Sequence, residues 1–168
     1  QTENLIRIEP QLFEWFGWYT SFPTMLSPVE LKSCGYPIDI DYKPALSLRD
    51  LNLTETVADY YERSASFLKQ LLANHKAKDT CLLIMAHACS LKTFTHHLIP
   101  RAFRCSVSQD EFHYYTSIVP YCALVVAEER RRWTLIEPPV SVTCTHSHNV
   151  DFNWRQLLNT TFCGFRVQ

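Results

Sequence analysis

Two residues in this 168-residue chain stand where side-chain chemistry is to be expected. The first is His87, which follows six apolar residues, Cys81 to Ala86, in the stretch TCLLIMAHACSL, residues 80 to 91. A run of that length suits a strand buried on both faces of a sheet. Small residues Ala88 and Cys89 come next, and Ser90 opens the helical pattern LKTFTHHL. A polar residue at a strand-to-helix junction lies at the carboxyl edge of a sheet, where open α/β folds place ligands. The helix N-terminus beside it offers free N–H groups to an anion. The same pattern also fits a buried histidine satisfied by a backbone carbonyl. The second residue is Glu14, inside the aromatic segment LFEWFGWYTSF, residues 12 to 22. Most of that segment reads as core. A carboxylate amid Phe13, Trp15, Phe16 and Trp18 is either turned to solvent or held in a partly apolar cleft, a setting that suits a general acid.

A third cluster, CTHSHNVD at residues 144 to 151, offers metal ligands: Cys144, His146, His148 and Asp151. His-x-His on a strand puts both rings on one face, as zinc requires. Its spacing to Asp151 is one residue longer than the His-x-His-x-Asp run of metallo-β-lactamase-like hydrolases, and no distal histidine cluster accompanies it. The triplet Arg130–Arg132 reads as the solvated end of a hairpin, with phosphate binding as its alternative.

Composition narrows the remaining classes. A hydrophobic fraction of 46% with 20% charged residues suits one globular domain. The net charge of -1 supplies no attraction to nucleic acid or an anionic membrane, so neither is expected as a partner. Seven cysteines, an odd number with no CxxC pair, argue against a disulfide framework or zinc ribbon. A reducing, cytoplasmic setting follows, and the sequons at Asn52 and Asn159 then carry little meaning. With three glycines in the chain, neither a Walker loop nor GxGxxG can be built. The first residue is Gln and no secretory signal pattern follows it, so the chain is expected to be an excerpt or processed product of something longer.

The elements that must position Glu14 and His87 can be read in order. Residues 5–8 form a short strand ended by Pro10. Ser27, Pro28 and Glu30 make a capping box for a short helix that Gly35 closes. Residues 36–50 read as a long loop that could serve as a lid. A helix from about Glu55 to His75, capped by Asn52 or Thr54, carries Val57, Tyr61, Ser64, Leu68 and Leu71 at helical spacing. Helix, strand 81–86 and helix again is an α/β pattern. Ser108 with Glu111 caps a further helix to about Ser117, and residues 122–138 form a β-hairpin. The predicted sheet contains 5–8, 81–86, 122–127 and 133–136, with 81–86 central.

The segments IEPQLFEW (8–15), LSPVELKSCGYPID (26–39), DYYERS (59–64) and LIMAHACSL (83–91), with VPYCAL (119–124), EPPVSVTCTH (137–146) and FNWRQLL (152–158), resemble the histidine phosphatase superfamily. The likeness is to the branch of the suppressors of T-cell receptor signalling, which carry ubiquitin-associated and SH3 domains, and of insect ecdysteroid-phosphate phosphatases. It implies a phosphoglycerate-mutase-like three-layer α/β sandwich with a mostly parallel central sheet. In that family the histidine of an Arg-His-Gly motif attacks a phosphoester and water then hydrolyses the phosphohistidine, without metal or cofactor. Glu14 then matches the acid that protonates the leaving oxygen, and His87 the histidine that binds the transferred phosphoryl group. Trp15, Trp18 and His146 fall beside the substrate.

Arg-His-Gly occurs nowhere in the 168 residues, nor does the arginine-bearing helix the family places after it. Cys89 stands where relatives usually carry serine. Residues 1–168 are therefore expected to be the C-terminal portion of such a domain, with its N-terminal part missing and no activity by itself. The expected partner is a phosphorylated protein or a small hydrophobic phosphoester such as a steroid phosphate, with homodimerisation left open. Two alternatives stand beside this: a phosphatase-like interaction module that does not catalyse, and a zinc hydrolase using the 144–151 cluster.

Overall fold

The computed structural model describes residues 5–76, 80–99, 108–140 and 153–158. Four helices carry the described fold: α1 (Pro28–Ser33), α2 (Val57–Asn74), α3 (Ala88–Leu98) and α4 (Gln109–Ser117). Strands β1 (Val126–Glu129) and β2 (Trp133–Ile136) form an antiparallel pair. Short 3-10 turns lie at Pro10–Leu12, Phe16–Trp18, Leu48–Asp50 and Trp154–Leu158.

Helix α2 is the spine. Val57, Tyr60, Tyr61, Ser64, Phe67 and Leu68 recur at three- and four-residue steps and are buried along one stripe. That stripe packs on α3, which in turn packs on α4 and on the turn Trp154–Leu158. Trp15, Val57, Tyr60, Tyr61, Cys89 and Phe112 meet in one buried cluster, so the aromatic segment near the N-terminus joins the core of the three helices.

Local chemistry sets the helix starts. Ser27 and Glu30 form the capping box read from the sequence, and Gly35 closes α1 at a φ of 92°. The α2 cap is Thr56, not Asn52 or Thr54. Thr56 has Asp59 three residues on and completes a reciprocal box with it, whereas the Asn52 carboxamide is engaged by the N–H and hydroxyl of Thr54, each at 2.9 Å. Helix α3 begins at Ala88, directly after His87, rather than at Ser90. Ser108 caps α4 as its spacing to Glu111 predicted.

The predicted four-stranded sheet is not what the described residues form. Their ladder is the two-stranded β1–β2 pair, with Val126 opposite Ile136 and Glu129 opposite Trp133, together with one parallel bridge between Ile6 and Ile38. Residues 81–86 pair with no strand among the described residues. Leu82 and Ile84 are half-buried while Leu83 and Met85 are 78% and 81% exposed. That alternation has the period of a strand, but a ladder needs a neighbouring backbone, and no described segment supplies one. Strand β1 also starts later than predicted. Ala123 N–H bonds back to Pro120 O at 3.2 Å, and Cys122 sits at a φ of 59°, so a turn consumes the first residues of the apolar run.

Among the described residues Cys34, Cys81, Cys89 and Cys122 are free thiols. No described helix is long and apolar enough to cross a membrane, and no described group of His, Cys, Asp and Glu could hold a metal. The candidate ligands Cys144, His146, His148 and Asp151 lie outside the described residues.

Candidate active site

Glu14 and His87, 73 residues apart in sequence, come together in space: Nδ1 of His87 lies 3.4 Å from Oε1 of Glu14. Their side chains are 20% and 47% exposed, so the pair is open to solvent. His87 is the residue before the first turn of α3, and its side chain makes no capping bond. The imidazole therefore faces Glu14 instead of closing its own helix. The N-terminus of α3, which begins at Ala88, makes the same spot favourable to an anion.

A third group completes the arrangement. The Tyr19 hydroxyl donates to Oε1 of Glu14, the oxygen that His87 also approaches. That hydrogen bond is the main reason the phenol is pushed up to about 12, with burial and the Glu14 charge adding to it. Tyr19 thus stays protonated, and a donor, throughout the neutral range. Phe13 covers the group: its ring centroid lies 5.9 Å from that of His87 and 5.3 Å from that of Tyr19, and it stacks on Phe16 at 4.7 Å.

Both halves of the site hang from α2. The Tyr60 hydroxyl reaches Sγ of Cys89 at 3.0 Å and Oγ of Ser90 at 3.2 Å, which ties the first turn of α3 to the spine. Burial, partly offset by the Tyr60 hydrogen bond, pushes the Cys89 thiol up, so it remains a neutral packing group. On the other side Arg63 of α2 forms an ion pair with Glu55 at 2.6 Å and reaches the backbone of the segment that carries Glu14.

The two tryptophans expected beside a substrate, Trp15 and Trp18, both pack toward α4. Trp15 is 5% exposed, and its indole N–H donates to the Glu55 carbonyl at 2.9 Å. Trp18 stacks on Phe112 of α4 at 5.6 Å and meets Trp15 and His113 edge-on. Both rings meet Phe112 of α4, which is wholly buried, one edge-on and one stacked. Gly17 permits this, since a side chain there would collide with the Trp15 indole. Phe13 and Tyr19 are the aromatic residues at the Glu14–His87 pair. His146 lies outside the described residues. A cavity of about 410 Å³ is lined by Gln11, Asp50, Glu55, Asp59, Arg63 and Gln70 among others, and neither Glu14 nor His87 contributes to it.

Tyr60, Glu55 and Arg63 were not singled out from the sequence. Their one legible signal is a charged pair, Glu55 and Arg63, straddling the start of a helix, and spacing alone cannot say that it turns inward.

Compared with known proteins, the chain matches no family model. It is 34% identical over 162 residues to ecdysteroid-phosphate phosphatase of Drosophila melanogaster, covering 92% of this chain and 20% of that protein. It is 32% identical over 162 residues to human ubiquitin-associated and SH3 domain-containing protein A, covering 92% of this chain and 23% of that one. Among solved structures, the Bombyx mori ecdysone phosphate phosphatase in complex with tungstate superposes with a TM-score of 0.67 at 25% identity, over 91% of this chain and 58% of that chain. Each of these likenesses covers 91–92% of this chain. The chain spans about a fifth to a quarter of the length of the curated relatives it matches.

Proposed function

We propose that this chain forms the acid and phosphate-binding portion of a histidine phosphatase domain that hydrolyses phosphomonoesters. The observation that carries the reading is the 3.4 Å approach of His87 to Glu14 at the start of α3, in a chain 34% identical to an ecdysteroid-phosphate phosphatase. A histidine nucleophile is supplied by an Arg-His-Gly segment outside these residues. Its imidazole nitrogen attacks phosphorus as the P–O bond to the leaving group breaks. Protonated Glu14 gives its proton to that departing oxygen, and His87 with the α3 N-terminus holds the non-bridging oxygens. Water then attacks the phosphohistidine, Glu14 takes the water's proton back, and inorganic phosphate leaves. Tungstate, bound by the Bombyx mori structure, is a tetrahedral oxyanion of the same kind. Phe13 and Tyr19 beside the acid favour a flat or hydrophobic leaving group, a phosphotyrosine or a steroid phosphate.

The test is turnover of an aryl phosphate by a native form in which an Arg-His-Gly segment precedes this sequence. Activity should persist in EDTA, and Glu14→Gln should lower kcat by about 10²–10⁴-fold. The isolated 168 residues should be inactive. Phosphate binding without turnover in the longer form would instead assign the domain to non-catalytic recognition. Stoichiometric zinc with EDTA-sensitive hydrolysis would favour the cluster at residues 144–151.

A further inference from the structure

We infer that Arg63, with Glu55 as its counter-ion, is the positioning residue for the Glu14 acid. The inference rests on the reading of Glu14 given above. Arginine carries five N–H donors in a fixed planar fork, and in Arg63 each of them has its own acceptor. Nε donates to Oε2 of Glu55 at 3.0 Å, and Nη2 to Oε1 of Glu55 at 2.6 Å. Nη1 donates to the carbonyls of Gln11 at 2.8 Å and Phe13 at 2.9 Å, and Nη2 also reaches the carbonyl of Glu14 at 3.3 Å. Three backbone carbonyls at and just before the acid are thus held by one rigid group.

Glu55 holds the other side of the same segment. Its Oε1 accepts the Phe16 N–H at 3.0 Å, and its carbonyl accepts the Trp15 indole N–H. Backbone from Gln11 to Phe16 is therefore pinned on both sides of Glu14 to a single ion pair. The pair is shielded, with Arg63 and Glu55 side chains 10% and 3% exposed and the guanidinium lying 4.8 Å from the Tyr60 ring centroid. Neither side chain reaches the Glu14 carboxylate, so both act through the backbone. A 1 Å displacement of an acid from the leaving oxygen is enough to cost about 10²-fold in rate. Lysine at this position keeps the charge but offers three donors without the fork, so at least two of the five acceptors lose their partner.

The experiment compares two substrates in the native protein that carries the nucleophile. One is an activated aryl phosphate such as 2,4-dinitrophenyl phosphate, whose leaving group departs without a proton. The other is an alkyl phosphate, whose leaving group needs one. Glu14→Gln should lose activity on the alkyl ester far more than on the activated one. Arg63→Lys should reproduce that imbalance, with the alkyl ester falling about 10²-fold, little change in KM, and the activated ester nearly unaffected. Glu55→Gln, nearly isosteric, should show the same imbalance in weaker form. It carries the comparison if Arg63→Lys does not fold, and each variant is assayed well below its own melting midpoint. An equal loss on both substrates, or none on either, in folded Arg63 and Glu55 variants overturns the inference while leaving the acid assignment standing. Absence of the imbalance in Glu14→Gln itself overturns the acid assignment.

Discussion

At the scale of single residues, Glu14 is approached at one oxygen by two neighbours, the Tyr19 hydroxyl and Nδ1 of His87. The phenol needs no deep burial to be perturbed, since a carboxylate that accepts its proton opposes the formation of a second negative charge beside it. Removing that carboxylate should therefore release Tyr19. In Glu14→Ala the phenol, held up to about 12, is expected to fall back toward 10, followed by NMR of ring-labelled tyrosine. A value left at about 12 would mean that burial, and not Glu14, holds the proton. The sign for stability is that of any group whose folded pKa is raised: the contribution is complete below about pH 10 and fades as pH rises through about 12.

At the scale of elements, the α2–α3 contact carries two histidines that have to stay neutral. His96 packs edge-on to Tyr61 and His97, each with ring centroids 5.3 Å away, and His97 bonds the Tyr61 carbonyl at 2.9 Å. Burial, then His97 and Lys92, lower His96 to about 4, and burial also lowers His97. An unfolded histidine takes up its proton near 6.5, but the folded His96 resists until about 4. Below about pH 6.5 the unfolded state binds more protons, so stability should decline continuously down to about pH 4. Urea midpoints measured at intervals between pH 7 and 4 should show that decline, and His96→Gln should flatten it. An unchanged slope in the variant would place the acid sensitivity elsewhere. The element holding the other end of α3 is polar: buried Lys92 donates to the Leu157 carbonyl at 3.2 Å and lies over the Tyr115 ring at 3.9 Å. Burial lowers the Lys92 pKa, in keeping with a lysine used as an internal fastener.

At the scale of the whole molecule, stability is concentrated in the cluster around Phe112, while the apolar stretch before His87 is left half open. Phe112 is 0% exposed and touches the rings of Trp15, Trp18, Tyr60 and Tyr61. Met85 is 81% exposed and has no ladder around it. Chemical denaturation should separate the two: Phe112→Ala is expected to cost about 3–5 kcal/mol, and Met85→Lys in the same 168 residues to stay within about 0.5 kcal/mol. The lysine should also reduce self-association, because an apolar row beside unpaired backbone invites strand addition. Comparable losses in both variants would show that residues 81–86 are packed in solution.

What could be read from the chain alone was whatever depends on near neighbours. Ser27 with Glu30 and Ser108 with Glu111 specify helix starts through bonds only three residues long, and both formed. The 3.6-residue spacing of Val57, Tyr61, Ser64 and Leu68 marked the buried stripe of α2 for the same reason. Glu14 and His87 stood out because each is polar where its surroundings are not, and their order among the other segments carried the family likeness. Pairing lay beyond such signals. The run 81–86 has the composition of a buried strand, yet burial depends on which backbone lies alongside, and composition does not specify that. Nor could spacing show that Trp15 and Trp18 turn toward Phe112 while Phe13 and Tyr19 face the acid, since neighbouring rings compete for one core and packing selects among them. Tertiary structure alone decided that Arg63, 49 residues beyond Glu14, reaches back to hold its carbonyl. A guanidinium with five donors is satisfied only where five acceptors converge, and such convergence exists only once α2 and the acid segment have met.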